Sequence, residues 1–289
     1  MTQRIRHVFH LYHPAVILLY AVSVLGLTMS TLQPVYLAIS VVTAVIYGRY
    51  LIGWQHFRKI LLFAAIPALM IALVNPLFSS GGATILFYLG RFSVTREAIF
   101  YGLAAGAMLL AVLLWFACWQ KLINQEKFMY LFGRVFPTLA LMLSMIFRLL
   151  PVTRSKALQI SYARKAALPQ VSGVRQRLKR QAAAISILMS WTMEDSIETA
   201  DTMRARGYGT GRRTSYQIFS WHTRDTVMAV CLLLLLLADV RGVWLHVFQY
   251  YPRLDGDLTA WPQLALYPVH AVLLGLPLIL EAWEAIRWK

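Results

Sequence analysis

Thr226-Val227-Met228-Ala229-Val230-Cys231-Leu232-Leu233-Leu234-Leu235-Leu236-Leu237-Ala238 carries no charge and holds six leucines in succession. With Val240, Val243 and Trp244 it reaches the roughly 20 residues that cross a bilayer core as a helix. No water is available there to satisfy a peptide group, so the backbone must bond within its own segment, and a helix does so. Similar runs recur on both sides of it. The stretch therefore predicts an all-α, polytopic membrane protein with about six transmembrane helices, and the basic sequence between its spans predicts a long cytoplasmic helical connector.

Composition agrees with this class. Hydrophobic residues make up 59 % of the 289 positions and charged residues only 14 %, yet the net charge is +16. An ordinary soluble domain is nearer half apolar. Charges that are few and one-sided read first as membrane topology. Nucleic acid is excluded as a partner because the basic residues are confined to short segments beside apolar runs. Cys118 and Cys231 both lie inside such runs and are expected to be packed thiols.

In chain order, Arg4 and Arg6 precede the apolar run Ala15–Leu27. No small-residue cleavage site follows, so a retained first span is expected. His7, His10 and His13 recur every third residue, and are read as an interfacial segment rather than as metal ligands. Val35–Tyr47, extended to Ile52, is the second span. The third is Ile60–Phe78, with Pro67 and Asn75-Pro76 inside it, followed by a turn at Ser79-Ser80-Gly81-Gly82. Residues 83–96 are short, aromatic and mixed, and predict a hairpin or loop. Ala98–Trp119 is the fourth span, with Gly102 and Gly106 spaced for close helix approach. After the leucine run comes a loop, Tyr250–Pro262, holding Asp255 and Asp257. The last span, Leu264–Ile286, has Trp283 and Trp288 as interface anchors.

Between the fourth and fifth spans lies a connector, Lys121–Asp225. Val135–Leu150 is apolar but short, contains Pro137 and ends at Arg148 and Pro151, which suits a re-entrant, tilted or interfacial helix. Lys156–Ala167 has helical character, broken before Pro169 and Gly173. Arg175, Arg177, Lys179 and Arg180 form a basic cluster. Gln181–Arg206 reads as one long helix, with Gly207 as its C-cap. Its Glu194, Asp195, Glu198 and Asp201 predict a solvated or salt-bridged face, with Asp201 spaced to pair with Arg204. Three divisions result: N-terminal transmembrane helices over 1–120, cytoplasmic or interfacial connector helices over 121–225, which the resemblance described below makes coupling helices, and C-terminal transmembrane helices over 226–289.

With the N-terminus inside, all of the 28 basic residues except Arg91, Arg96, Arg241 and Arg253 fall on the inner side. The positive-inside rule thus predicts both termini in the cytoplasm and a multi-pass protein of the inner or plasma membrane.

The run Met203-Arg204-Ala205-Arg206-Gly207-Tyr208-Gly209-Thr210-Gly211-Arg212-Arg213-Thr214 is the first candidate for contact with something else. It is not a phosphate loop, which needs four residues between glycines, then Lys and Ser or Thr, usually after a strand. The carboxylates of the preceding helix lack a second acidic cluster with which to hold a divalent cation. The Arg175–Arg180 cluster attracts anionic lipid without specificity. Arg164 and Arg206 each stand near a helix end beside an alanine, Ala163 and Ala205. A planar guanidinium there suits docking to carboxylates or carbonyls of another protein, whereas positive-inside bias alone also places arginines in this connector.

The Met203–Thr214 run resembles the second Ala-Arg-Gly signature of the T component of energy-coupling factor (ECF) ABC transporters. Phe147-Arg148-Leu149-Leu150-Pro151 followed by Ala163-Arg164-Lys165 is similar to that family's first signature block, with Lys165 where the family has glycine. Asn75-Pro76-Leu77-Phe78, the Gly81-Gly82 turn and Ser93-Val94-Thr95-Arg96-Glu97-Ala98 resemble the segment after its third span. The likeness covers roughly residues 70 to 215.

The resemblance implies a non-catalytic coupling subunit. Its partners would be two cytoplasmic ATP-binding cassette ATPases and a small membrane S component that captures a vitamin or transition metal. Ala163, Arg164, Ala205, Arg206 and Gly207 would dock the ATPases. ATP would be bound by those partners, with no cofactor, metal or catalytic residue in this chain. A conventional ABC permease and a polytopic enzyme acting on lipids are the alternatives.

Overall fold

The computed structural model describes residues 8–78, 82–89, 92–133, 135–167, 173–211, 219–245, 248–252 and 261–287. Expectations for Arg4, Arg6, His7, Ser79–Gly81, Arg91, Pro169, Arg212–Thr214, Arg253, Asp255, Asp257, Trp288 and Lys289 lie outside the described residues. The chain divides into two units. One comprises Met1–Phe128 and Phe219–Lys289, the other Met129–Ile218.

The first unit opens with a 3₁₀ turn, Val8–Leu11, then α1 (Pro14–Ser30), α2 (Pro34–Ile52) and α3 (Trp54–Phe78). A two-stranded antiparallel hairpin follows, β1 (Ile85–Leu89) with β2 (Phe92–Thr95), pairing Ile85 with Thr95 and Leu89 with Phe92. It leads into α4 (Arg96–Leu122) and the start of α5 (Gln125–Gly133); α8 (Thr223–Leu245) and α9 (Trp261–Arg287) complete the unit. Local chemistry sets the starts. Pro14 and Pro34 occupy first-turn positions, where a missing N–H costs nothing. Thr95 caps α4, its hydroxyl accepting from the Ala98 amide at 3.3 Å. The Glu97 carboxylate in that first turn accepts from the Thr84 hydroxyl at 2.6 Å, which ties the hairpin to the helix.

The core of this unit is built from Phe9, Ile17, Tyr20, Tyr47, Phe57, Leu114, Trp115, Leu232, Leu273 and Leu274. Tyr20 gives its hydroxyl to the Leu274 carbonyl at 2.8 Å, and Trp115 gives its indole N–H to Ser40 at 3.1 Å. The glycine spacing of α4 meets α3 as expected. A Cβ at Gly102 would lie 2.9 Å from the Ala72 carbonyl oxygen, and one at Gly106 only 2.6 Å from that of Ala68. Outward, α3 presents Leu62, Phe63, Ile66, Leu69, Met70 and Leu73, all exposed. An apolar exterior over a hydrogen-bonded interior is the arrangement lipid demands.

In the second unit, α5 is followed by α6 (Pro137–Ala167) and α7 (Val174–Ala205). Here the chain departs from expectation. Arg148 and Pro151 do not end a helix; α6 runs through both for 31 residues, with Pro137 in its first turn. Proline removes one backbone donor. On either side, the Thr153 hydroxyl bonds back to the Leu149 carbonyl at 2.9 Å and the Ser155 hydroxyl to that of Val152 at 2.7 Å. Joined to Lys156–Ala167, the apolar segment is no longer short. Helix α7 starts at Val174, earlier than Gln181, because the basic cluster is itself helical.

Among the described residues α2, α3, α4, α6, α8 and α9 are long and apolar enough to cross a membrane, and α1 is an apolar helix of 17 residues. The molecule is an all-α polytopic membrane protein. Cys118 is buried as expected, but Cys231 is exposed, because the leucine run turns that face of α8 outward.

Candidate functional site

The second unit carries the candidate docking residues. Lys156 of α6 pairs with Asp195 of α7, and its ammonium lies over the Trp191 ring at 5.6 Å from the centroid. This fixes where the helices cross. About 16 Å of α6 follows Lys156, and about 32 Å of α7 precedes Asp195. The link from Ala167 to Val174 reaches at most about 25 Å. Both linked ends must therefore lie on one side of the crossing, so that the C-terminal end of α7 projects to the other. Arg164 and Arg206 are consequently more than about 20 Å apart.

Helix α7 ends in a complete Schellman turn. The Gly207 N–H donates to the Arg204 carbonyl at 2.9 Å and the Tyr208 N–H to the Met203 carbonyl at 3.0 Å. Gly207 has φ of 81°, a left-handed conformation that glycine adopts without steric penalty. Tight closure leaves Ala205 and Arg206 exposed at a rigid terminus. The Arg206 N–H donates to the Thr202 carbonyl at 3.1 Å, while its guanidinium has no hydrogen-bond or ion-pair partner among the described residues and lies favourably at the negative end of the helix dipole. A helix, α7, precedes the Gly207–Gly211 segment, where a phosphate loop usually follows a strand.

Helix α6 differs at its corresponding end. It continues through Lys165 to Ala167, without a left-handed residue at Arg164. Ala163 is exposed, Arg164 half-buried, and Lys165 lies over Tyr162 at 6.0 Å. The five residues Ala163, Arg164, Ala205, Arg206 and Gly207 thus belong to two separate places. Asp195 is salt-bridged, whereas Asp201 and Arg204, spaced to pair, do not do so. Helix α7 buries no side chain at all, and exposes Ile185, Met189, Met193 and Ile197. An apolar face left uncovered on this scale marks a contact surface for protein or lipid.

His10 and His13 are held in local packing. Asn124 bonds to His10 Nε2 at 3.2 Å, while His13 Nδ1 caps α1 by accepting from the Ala15 amide at 3.2 Å. Asp225 clasps the starts of α1 and α8, accepting from the His13 amide at 3.1 Å and the His222 amide at 3.0 Å. Lys127, buried in α5, donates to the His10 carbonyl at 2.7 Å and to that of Leu122 at 3.3 Å. Burial lowers its ammonium to about 8.

Sequence reasoning missed a second polar centre, in the first unit. Asp239 of α8 and His270 of α9 are wholly buried and meet at 2.6 Å, Oδ2 to Nδ1. The Tyr36 ring of α2 stands edge-on to the imidazole, with centroids 4.8 Å apart. The available signal was the pair of ionisable residues inside two apolar runs, where charge is expensive and serves function. Protein-family models yield no match to this chain, and no curated protein matches it.

Proposed function

We propose that this chain is the membrane coupling subunit of an ATP-driven importer, of the kind its signature segments resemble. It carries the motion of two soluble ATPases to a small substrate-capturing membrane protein that takes up a vitamin or a transition metal ion. In this reading the chain lies in the inner or plasma membrane, with both termini and the exposed ends of α6 and α7 on the cytoplasmic side. It has no chemistry of its own, and ATP stays on the partners.

One observation carries the proposal. The Arg206 guanidinium stands unpaired at a helix end locked by the Gly207 turn, and Arg164 lies in the last turn of a different helix, more than about 20 Å away. Two separate, basic, rigid ends suit two copies of a partner. A guanidinium seated against carboxylates or carbonyls transmits displacement because its planar fork fixes direction as well as distance. The Lys156–Asp195 pair joins the two helices where they cross. The uncovered apolar face of α7 supports a membrane-embedded or protein partner on the same unit.

The test is Arg206→Glu in cells and in the purified complex. Uptake is expected to fall to background and ATPase co-purification by about tenfold or more, a loss of at least about 1.4 kcal/mol. Membrane insertion of the chain is unchanged. Uptake at the wild-type level would remove Arg206 from this role. A chain that purifies without any ATPase and acts on a lipid would overturn the proposal as a whole.

A further inference from the structure

Charge is segregated along α7. Between Glu126 and Glu194 the chain contains no acidic residue, so the first half of the helix carries Arg175, Arg177, Lys179 and Arg180 with no acid among them. Its acids, Glu194, Asp195, Glu198 and Asp201, all lie in the second half. Lys179 and Glu194 are about 22 Å apart along the axis. Screening at physiological salt leaves a reach of only about 8 Å, so the two halves do not neutralise each other. The coupling role uses none of the four cations.

The same half of the helix is apolar on one side. Val174, Leu178 and Ile185 are 75 %, 60 % and 57 % exposed, and with Ala182 they form a stripe at helical spacing. The stripe is turned away from α6, which meets the side of α7 that holds Trp191 and Asp195. By the turn of the helix, Arg175 and Lys179 border the stripe on one side and Arg177 on the other. These three side chains are exposed and make no hydrogen bond or ion pair among the described residues. An apolar stripe between basic borders is the pattern of a helix lying in a bilayer interface. The stripe enters the acyl boundary, while the alkyl stems of Arg and Lys lie along it and raise their charged heads to the phosphates. An acidic protein surface answers the cations but sets carboxylates against the stripe. An apolar one answers the stripe but strands the cations. An anionic bilayer surface answers both.

We propose that residues 174–185 are an anionic-phospholipid anchor lying in the plane of the bilayer surface, with Leu178 inserted at its centre and Arg175, Arg177 and Lys179 on headgroup phosphates. Glu194, Glu198 and Asp201 are repelled by the same surface, which lifts the second half of α7 away from it. The Arg206 end then stands clear of the headgroups, where a soluble partner reaches it. That last consequence rests on the coupling role; the anchor itself does not. Met189, Met193 and Ile197, further along the helix, lie outside the anchor and stay open to another partner.

The full chain without any ATPase tests this, so the outcome is independent of transport. Leu178→Cys, in a chain with Cys118 and Cys231 replaced by serine, carries an environment-sensitive fluorophore in nanodiscs that contain a doxyl-labelled quencher lipid. The discs are phosphatidylcholine alone, or phosphatidylcholine with roughly a third of phosphatidylglycerol. Quenching is expected to be at least about threefold stronger with phosphatidylglycerol, and to weaken when salt is raised to about 1 M. Gln176→Cys, on the opposite side of the helix, is expected to stay unquenched in both discs. Adding Arg175→Glu, Arg177→Glu and Lys179→Glu to the Leu178→Cys chain is expected to return quenching to the phosphatidylcholine level. No quenching at Leu178 in either disc overturns the proposal and leaves the patch to a protein partner. Equal quenching in the two discs, unchanged by salt, overturns it also, because apolar contact alone then holds the helix. The salt measurement needs no charge variant, so a misfolded triple variant does not shield the proposal.

Discussion

Single residues in this protein do their work by being placed where water cannot help them. Lys127 is the clearest case outside the spanning helices, since its ammonium is buried and given to two carbonyls. Burial lowers it to about 8, below the ordinary lysine value. Between the two, the unfolded chain binds more protons than the folded one, so stability rises as pH increases through that window. The rise is on the order of 3 kcal/mol at most. Thermal unfolding from about pH 8 to pH 10.5 is expected to show it, and Lys127→Gln to flatten it. A wild-type profile that falls over this range would contradict the burial. Lysine at this position could not be singled out from sequence, because its burial depends on His10, brought from far along the chain. Gly207 could, since a glycine directly after a helical run predicts the left-handed turn that is found.

At the level of elements, legibility followed apolar periodicity and failed at prolines. The spans α2, α3, α4, α8 and α9 were readable because long uncharged runs have no other stable form in lipid. Pro151 was read as a stop, yet α6 passes through it, with nearby hydroxyls bonding to carbonyls on either side. Length then reclassified the segment. The small-residue stripe of α4 was legible in kind but not in depth. The ideal Cβ of residue 106 falls 2.6 Å from a backbone oxygen of α3, which no rotamer can avoid. Gly106→Ala is therefore expected to push α3 and α4 apart at a cost of about 1–3 kcal/mol. A lowered unfolding midpoint in detergent would report it, while an unchanged one would show that the contact yields freely. The α8–α9 pairing that joins Asp239 to His270 is tertiary, and nothing local in either run announces it.

The whole molecule joins a unit with its own core to one that has almost none. In the first, buried aromatics and leucines are interlocked by hydrogen bonds between helices. In the second, α6 and α7 are tied chiefly at Lys156, Asp195 and Trp191. The charge asymmetry that predicts an inward-facing second unit gives a direct test at this scale. Thr210→Cys, in a chain with Cys118 and Cys231 replaced by serine, is expected to react with an impermeant maleimide only from the cytoplasmic side. Reaction from the outer side would reverse the topology and remove the proposed contact to soluble ATPases.

The absence of any buried side chain on α7 also has a cellular meaning. A helix that gains little burial from its own chain opens readily when nothing else covers it. A copy made without partners would display an apolar, poorly protected segment of the kind that membrane proteases recognise and clear. With the proposed partners covering that face, the abundance of this protein would follow their supply, with stoichiometry enforced by degradation rather than by matched synthesis.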